Sequence, residues 1–407
     1  MYLTLSKRFE FSSSHRYYVP DWDPQKNRQF FGRRIGGPHG YGNNFTLYTV
    51  FHGAVDARDG MIINVTTIKK RVNDILSARY DHKFLNVDTS PFDSIPPTPE
   101  NLVACLFEDI RSAFSGESAQ PVVCHLEETD TSAATAYAGG RIERHFTIDF
   151  SAARRTVSPH LTDQQNRELF GKAVNIHGHG YRVRVTLDGP VDGSYGMIVP
   201  PSESERALSS LYEELDHHYL NDEVSGLKSL PVTTETLARY AFERLGASLP
   251  VNRVRLHENP RFFAEFHRGG ITFLGIESSF HAAHRLHSSR LTELENVEVY
   301  DKCNNAAGHG HLYRLEATVG GTLDERSGTL FDLDRAYKSV DSVLEPWRFR
   351  HLDLDTDDFR DRPSTAENMV TTLWPRLQKA LDDRLWRTRL WETPNNRFTV
   401  RRQGDSR

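Results

Sequence analysis

The sequence has few cysteines, no long apolar run and no excess of positive charge. Its three cysteines, Cys105, Cys124 and Cys303, are too few and odd in number for a disulfide framework, which favours a reducing compartment. No stretch approaches the roughly 18 apolar residues of a membrane span, and the N-terminus does not resemble a signal peptide. The formal net charge of −5 is a poor basis for nucleic-acid binding. We therefore expect a cytoplasmic protein that binds neither membranes nor nucleic acids.

One ordered set of short motifs occurs three times in the 407 residues. Each copy runs from a phenylalanine with small neighbours, through a glycine-containing strand start and a histidine motif, to a helix start and a strand that each carry a glutamate. One histidine of this set recurs at positions 82, 217 and 351, at intervals of 135 and 134 residues. Solenoid repeats are about 20–50 residues long, so this period predicts three tandem domains instead. The predicted units are 1–140, 141–274 and 275–407.

Within each unit the hydrophobic pattern predicts the order β-β-α-α-β-β, which is an α+β fold. In the third unit, residues 312–319 alternate like a strand, residues 330–344 have helical spacing, and Ser364 or Thr365 can cap the next helix. A single unit would be a four-stranded sheet with exposed edges, and exposed edges pair with other strands. Three such sheets joined edge to edge would close a 12-stranded antiparallel barrel with helices packed outside.

The third unit carries a histidine pattern suited to a metal ion. His309 and His311 are two residues apart at a strand start, so their side chains leave the same face, and His284 lies in a second strand that could be adjacent. Three histidines and one open position are typical of a catalytic zinc site, whereas an isolated His-Gly-His can be a solvated turn. Cys303 precedes His309 by six residues. A thiol near zinc can ionise near neutral pH and act as a base.

With these motifs, unit three resembles the 6-pyruvoyltetrahydropterin synthase family, also called the 6-carboxytetrahydropterin synthase family. The matching motifs are Phe280-His-Ala-Ala-His284, Cys303-Asn-Asn305, Gly308-His-Gly-His-Leu-Tyr313, Thr365-Ala-Glu-Asn368 and Trp391-Glu-Thr393. Unit two resembles the 6-carboxy branch, which serves queuosine biosynthesis, through residues 214–222. The resemblance implies the tunnelling fold, a trimeric barrel that often stacks into hexamers. It also implies a zinc ion and 7,8-dihydroneopterin triphosphate as the substrate, which loses triphosphate.

The resemblance also implies a role for each candidate residue. Zinc would be held by the three histidines of unit three, and Cys303 would be the general base. An Asp-His pair would relay the proton, and a glutamate would anchor the pterin ring because a carboxylate accepts hydrogen bonds from its N–H groups. The relay candidates are Asp81, His82, Asp216, His217 and His351, and the substrate-binding candidates are Glu392, Glu367 and Thr365.

Units one and two depart from this pattern at the metal ligands. Unit one has Tyr41 and Asn43 where the histidine pair is expected, so no zinc is expected there. Unit two keeps its histidine pair but has Arg154 in place of the first ligand, and a guanidinium would repel a divalent cation. In unit three, Arg350 stands before His351 where the other units have aspartate.

These complementary losses predict one composite site per chain. Unit three would supply zinc and Cys303, and another unit would supply the Asp-His pair. The predicted function is a zinc-dependent lyase that makes a 6-pyruvoyl or a 6-carboxy tetrahydropterin. The alternatives are a non-catalytic pterin- or purine-binding scaffold and an enzyme similar to dihydroneopterin aldolase. The resemblance further predicts a possible homodimer, in which two barrels stack into a pseudo-hexamer.

Overall fold

The computed structural model describes residues 2–402, in which twelve antiparallel strands close into a single barrel. The units join edge to edge, with Ala136 opposite Ile142 between units one and two, and His267 opposite Ile271 between units two and three. The last strand of unit three returns to the first strand of unit one, where Arg401 lies opposite Tyr2. The predicted α+β fold and 12-stranded barrel are therefore confirmed.

Each unit contributes four long strands to the barrel. In unit one they are Tyr2–His15, Tyr41–His52, Gln120–Thr129 and Ser132–Tyr137. In unit two they are Ile142–Arg154, His177–Asp188, Val251–Asn259 and Phe262–His267. In unit three they are Ile271–His284, His309–Gly321, Leu385–Thr393 and Asn396–Arg401. Two short strands, Lys83–Phe84 and Arg350–His351, pair in parallel with the ends of the first strands of units one and three.

Two long helices per unit follow the predicted order. They are Val65–Arg79 and Pro99–Ala113, Pro201–Leu215 and Thr234–Gly246, and Leu333–Leu344 and Ala366–Ala380. Each unit also has a short helix between its first two strands, which the predicted order lacks. The short helices are Pro24–Phe31, Asp163–Phe170 and Glu293–Tyr300. No helix among residues 2–402 has the length and apolar character that crossing a membrane requires.

The hydrophobic core lies between the outer face of the barrel and the long helices. Leu5 and Leu47 point outward from neighbouring strands and are fully buried in this core, together with Leu106 of the second long helix. Thr4 and Tyr48, the adjacent strand residues, point into the barrel. This alternation places two chemically different surfaces on the same strands, because successive side chains of a strand point to opposite faces.

Each unit has a turn with a glycine, and this glycine contacts the start of the second long helix of a neighbouring unit. Gly60 has φ +73°, and a side chain there would lie 2.7 Å from Asn368 Nδ2. The carbonyl of Gly60 accepts a hydrogen bond of 2.7 Å from Thr365 Oγ1, the N-cap of the helix Ala366–Ala380. Only glycine combines this backbone conformation with so close an approach. Gly196 and Gly328 repeat the contact at the other two unit boundaries.

Candidate active site

Three histidines of unit three meet at one end of the barrel wall. His284 ends the first strand of the unit, and His309 begins the second strand directly opposite it. His284 Nε2 and His309 Nε2 are 3.1 Å apart, and the ligand atoms of all three histidines, including His311, lie within 4.8 Å of one another. The structure thus brings together the three residues that the sequence predicts as metal ligands.

The nitrogen atoms of this cluster are arranged to accept a metal ion. His284 Nδ1 donates a hydrogen bond of 3.1 Å to the carbonyl of Ser364, which leaves its Nε2 as the unprotonated ligand atom. Burial lowers the pKa of His284 to about 3, and it also lowers the pKa of His309 and of His311. All three imidazoles are therefore neutral at pH 7, the form that coordinates metals.

Zinc fits this donor set. Two nitrogen ligands at about 2.0 Å from a tetrahedral zinc ion are about 3.3 Å apart, close to the separation of the His284 and His309 Nε2 atoms. His311 Nε2 is buried and has no hydrogen-bond partner, as expected for an atom whose partner is a metal ion. Three histidine ligands leave a fourth position for water or substrate.

Cys303 is half-buried in the 3₁₀ turn Asp301–Asn304, which precedes the strand of His309 and His311. Its carbonyl accepts a hydrogen bond of 2.9 Å from Leu286 N, so the turn is fixed to the chain that follows His284. Burial, with the negative charge of Glu392 nearby, raises the pKa of the thiol. Without a neighbouring cation the thiol is therefore protonated at neutral pH.

The predicted substrate carboxylates lie beside the histidine cluster. Glu392 Oε1 is 3.8 Å from His284 Nε2, and Asn396 hydrogen-bonds the Glu392 side chain. Glu367 lies in the first turn of its helix and is fully buried. Burial, together with the charge of Glu392, raises the pKa of Glu367 to about 8, although hydrogen bonds from its own backbone N–H and that of Ile62 oppose the shift. The two carboxylates therefore lie near each other and beside the histidine cluster, with Glu367 buried and Glu392 partly exposed.

Unit one completes the wall of this pocket, which the sequence did not predict. Glu367 Oε1 accepts a hydrogen bond of 3.1 Å from Ile62 N, in the turn that also places Gly60 against Thr365. Lys7 Nζ donates a hydrogen bond of 2.8 Å to Asn396 Oδ1. The negative charge of Glu392 opposes the lowering of the Lys7 pKa that burial causes. These contacts join residues more than 300 positions apart, so no local motif could have indicated them.

In unit two, an arginine takes the position of the first histidine of the cluster. Arg154 lies opposite His177 in the same register in which His284 lies opposite His309. Its guanidinium donates 3.0 Å to the carbonyl of Val232, which precedes the helix cap as Ser364 does in unit three. It also pairs with Glu258, and His179 Nε2 is 3.1 Å from the same carboxylate. The positive charge of zinc is therefore replaced by a charge of the chain itself.

In unit one, the corresponding glutamate is held by its own neighbours. Glu128 Oε1 is 3.0 Å from His15 Nε2 and accepts 2.6 Å from Tyr17 Oη, and Glu128 Oε2 accepts 2.7 Å from Ser132 Oγ. Burial alone would raise the pKa of Glu128, but the contact with His15 lowers it to about 2. Arg34 is the counterpart of Cys303 in unit one. The carbonyl of Arg34 accepts a hydrogen bond from Tyr17 N, just as the carbonyl of Cys303 accepts one from Leu286 N.

The Asp-His pairs have a different register from the one the sequence motif predicts. His82 N donates to Ser12 O, His217 N to Ser151 O and Phe349 N to His281 O. Phe349 is thus the counterpart of the two histidines, and Arg348 that of Asp81 and Asp216. His351 instead pairs with Ala283 as Phe84 pairs with Ser14. The sequence motif aligns His351 with His82 and His217 because all three are histidines. In the backbone register, however, His351 lies two residues after the position that corresponds to His82 and His217.

This register leaves unit three without an Asp-His pair but places His351 at the metal cluster. A side chain on Gly308 would lie 2.5 Å from His351 Nε2, so that imidazole reaches the turn just before His309. By contrast, the His82 and His217 side chains are 83% and 81% exposed. In residues 2–402, the contacts of Asp81 and of Asp216 lie within their own units. Neither pair meets Cys303 of the same chain through a described contact.

Each of the three units is similar to one family of known proteins. The family model "6-pyruvoyl tetrahydropterin synthase" matches residues 4–138, 142–269 and 274–403. The "6-pyruvoyl tetrahydrobiopterin synthase" of Drosophila melanogaster is 37% identical over 134 residues, which are 32% of this chain and 80% of that protein. The protein of the same name from Poecilia reticulata is 43% identical over 128 residues, 31% of this chain and 87% of its own length. The solved Caenorhabditis elegans 6-pyruvoyl tetrahydropterin synthase is 36% identical, covers 33% of this chain and 96% of its own, and has a TM-score of 0.32.

The fold and the site define a three-unit barrel protein whose described residues contain one cluster of three histidines that could hold a metal ion. The three matches together span nearly the whole sequence, once per unit. The chain belongs to the 6-pyruvoyl tetrahydropterin synthase family, in the form of three tandem copies.

Proposed function

We propose that this chain is a zinc-dependent lyase that converts 7,8-dihydroneopterin triphosphate to 6-pyruvoyl-tetrahydropterin, with loss of triphosphate. The observation that carries the proposal is the joint presence in unit three of three neutral histidines, of Cys303 and of two carboxylates, the buried Glu367 and Glu392, which lies 3.8 Å from His284. The names of the relatives support the reaction. The 6-carboxy product, which the sequence of unit two favours, is the second candidate, since the substrate and the first steps would be shared.

His284, His309 and His311 would hold the zinc ion. When bound, zinc polarises the oxygen atoms of the substrate side chain and lowers the pKa of nearby acidic groups. The hydrogen bond from His284 to Ser364 fixes the orientation of one ligand and the tautomer that coordinates.

Cys303 would remove a proton from the substrate side chain as a thiolate. Its raised pKa in the absence of a cation keeps the thiol protonated, so its activity as a base depends on the positive charge of the loaded site. This coupling would restrict proton removal to enzyme that holds its metal.

Glu392 and Glu367 would anchor the pterin, with Thr365 holding the start of the helix that carries Glu367. The amino and ring N–H groups of a pterin are donors, and a carboxylate has only acceptors to offer them. The substrate would add N–H donors to the hydrogen bond that Glu367, with its pKa of about 8, already accepts from Ile62 N. Pterin binding would therefore also determine whether Glu392 or Glu367 is protonated.

The proton relay would come from an Asp-His pair of a second copy of the chain. His82 and His217, each paired with the preceding aspartate, are exposed at the end of the barrel to which the histidine cluster belongs, because both lie beside the ends of first strands. Exposed apolar side chains gather at this end, among them Phe349 at 82% and Ile176 at 68% exposure. A homodimer of stacked barrels would cover them and bring an Asp-His pair to Cys303. His351 is the alternative relay within the chain.

The three units would then have separate roles. Unit one, residues 1–140, and unit two, residues 141–274, would complete the barrel without zinc, and unit three, residues 275–407, would carry the reaction. Unit one would also supply the turn that covers the pterin pocket.

The test is mass spectrometry of the products that zinc-loaded protein forms from 7,8-dihydroneopterin triphosphate. A 6-pyruvoyl product is expected, and a 6-carboxy product with acetaldehyde would instead select the second candidate. Cys303→Ser should lower turnover by about 10²–10⁴-fold, the range for loss of a general base. Cys105→Ser, a matched change in a helix of unit one, should leave it unchanged. Intact substrate after incubation with wild-type protein would favour a non-catalytic pterin-binding scaffold.

A further inference from the structure

The interior of the barrel is a cavity of about 1030 Å³ with an unusual charge. Nine arginines and four glutamates of the described residues line it, and no lysine or aspartate does. The lining therefore carries a formal charge of about +5 with neutral histidines, while the whole chain carries −5. A strongly positive, partly desolvated cavity attracts anions, because the field inside it is weakly screened.

The carboxylates of the lumen are already used by some of these arginines. Glu265 pairs with Arg255 and with Arg387, and it accepts 2.8 Å from His267. Glu316 lies 3.1 Å from Arg387 and 3.2 Å from Arg389. Glu143, a buried carboxylate that does not line the cavity, pairs with the lining residues Arg141 and Arg253. With Glu143 included, the nine arginines exceed the carboxylates by four, which leaves positive charge uncompensated.

Arg397 is the clearest case of an uncompensated charge. Within residues 2–402 its guanidinium forms no described ion pair, and its Nε has no hydrogen-bond partner. Arg389, on the neighbouring strand, also has an unpartnered Nε, although its terminal nitrogen contacts Glu316. Burial, with repulsion from Arg387, lowers the pKa of Arg397 to about 10 despite the attraction of Glu316. Unpartnered buried donors of this kind usually mark the place of a ligand or ion.

The cavity is separate from the site of unit three. Arg389 and Trp391 face the lumen. Glu392, the next residue of the same strand, points to the other side of the barrel wall, toward the histidine cluster. Likewise Leu312 lines the lumen and its neighbour His311 is a metal ligand. The wall of the barrel therefore stands between the two sites.

We propose that the barrel lumen binds an oligophosphate anion, with Arg397 and Arg389 as its principal ligands. The planar guanidinium donates two parallel hydrogen bonds to a phosphate group, and several arginines around one cavity match a chain of phosphates better than a single charge. Such an anion would satisfy the two unpartnered Nε atoms and offset the repulsion among the cations. This inference does not depend on the proposed function, although triphosphate is the group which that reaction would release.

The experiment is a calorimetric titration of the full chain with inorganic triphosphate at low ionic strength. Wild-type protein is expected to bind about one triphosphate per chain, with affinity that falls as salt is added. Arg397→Met removes the guanidinium but keeps an unbranched apolar stem, and it should weaken binding at least about tenfold, since it removes the charge-assisted hydrogen bonds to the anion. Arg335→Met, which removes an exposed arginine outside the barrel, should bind as wild type does.

Two further arms separate this site from others. His309→Ala disables the metal cluster and should retain lumen binding, whereas loss of binding in this variant would place the anion at the metal site and overturn the proposal. Sulfate should bind at least about tenfold more weakly than triphosphate, because it contacts fewer arginines. Equal binding of sulfate, unchanged binding by Arg397→Met, or no binding by wild-type protein would each overturn the proposal. A thermal melt of each variant verifies that the barrel is folded.

Discussion

Units two and three share one pocket design but differ at the position of the first histidine. The rings of His177 and His179 are 5.0 Å apart at 82°, and those of His309 and His311 are 5.0 Å apart at 85°. Opposite the first of each pair lies Arg154 in unit two and His284 in unit three. Both side chains donate to the carbonyl before the helix cap. The comparison teaches that a metal site can be replaced by an internal cation while its other ligands keep their geometry.

The change also removes the second function of the pocket. Glu258 pairs with Arg154 and accepts from Thr234 Oγ1, so its acceptor positions are occupied from within. Glu392 of unit three has only Asn396 as a described hydrogen-bond partner, and Ala366 stands where Thr234 stands. A carboxylate that is satisfied internally has little to gain from a pterin, whereas Glu392 has much to gain.

The largest expected effect is the loss of the metal from unit three. His309→Ala should lower the zinc content from about one to about zero per chain and turnover by about 10³-fold, because polarisation by the metal is worth several kcal/mol. The measurement is elemental analysis of the purified protein together with product formation. His177→Ala is the matched control in unit two and should change neither value. A drop in zinc for His177→Ala would mean that unit two also holds metal.

The next effect identifies the unit that supplies the relay. Either Asp81→Asn or Asp216→Asn, but not both, should lower turnover by about 10²-fold, since the aspartate orients and charges its histidine. The KM for the substrate should change little, because neither aspartate lies in the pocket that binds it. If both variants are as active as wild type and His351→Ala abolishes turnover, the relay lies within unit three and the composite site is wrong.

A gain of metal should follow from reversing the difference in unit two. Arg154→His should raise the zinc content from about one to about two per chain, because it restores a third imidazole beside His177 and His179. Turnover should not increase, since Ala173 stands at the position of Cys303. The control is Arg155→His at the next, exposed residue, which should leave zinc at one per chain. Zinc that stays at one in Arg154→His would show that Arg154 is not what excludes the metal.

The smallest effect concerns the stability contributed by the glutamates of units one and three. Glu128 has a folded pKa of about 2, below the ordinary value of 4.5 for a glutamate, so its contribution to stability is full above pH 4.5 and is lost as the pH falls toward 2. Glu128→Gln should therefore lower the free energy of unfolding at pH 7 by about 2–3 kcal/mol and leave turnover intact. The deficit should shrink below pH 4.5, as measured by denaturant unfolding across pH.

Glu392 should behave in the opposite way. Burial raises its pKa, so its charged form destabilises the folded state above the unfolded pKa and the penalty disappears as the pH falls. Glu392→Gln should leave stability at pH 7 equal or slightly higher while turnover is lost. A fall in stability as large as that of Glu128→Gln would mean that Glu392 supports the fold rather than the substrate.

Much of the site was predictable because its residues lie in short motifs with strong chemistry. The spacing of His309 and His311 fixes their common face in any strand, and Arg154 is visibly incompatible with a divalent cation. The register of the Asp-His motif was not predictable in the same way, because the sequence of Arg350–His351 resembles the motif. Only the hydrogen bonds to the first strand show that Arg348–Phe349 is the true counterpart. The short helices were missed because eight polar residues carry little periodicity.

The sequence by itself determined the threefold repeat, the barrel and the unit that holds the metal ligands, because each depends on the pattern within one unit. The tertiary structure alone decided how the units share a pocket: Ile62 reaches Glu367, and Lys7 reaches Asn396. It also decided the charge of the lumen, where Arg397 and Arg389 meet without enough carboxylates. These features arise from closing the barrel, which brings together residues whose separation along the chain hides their contact.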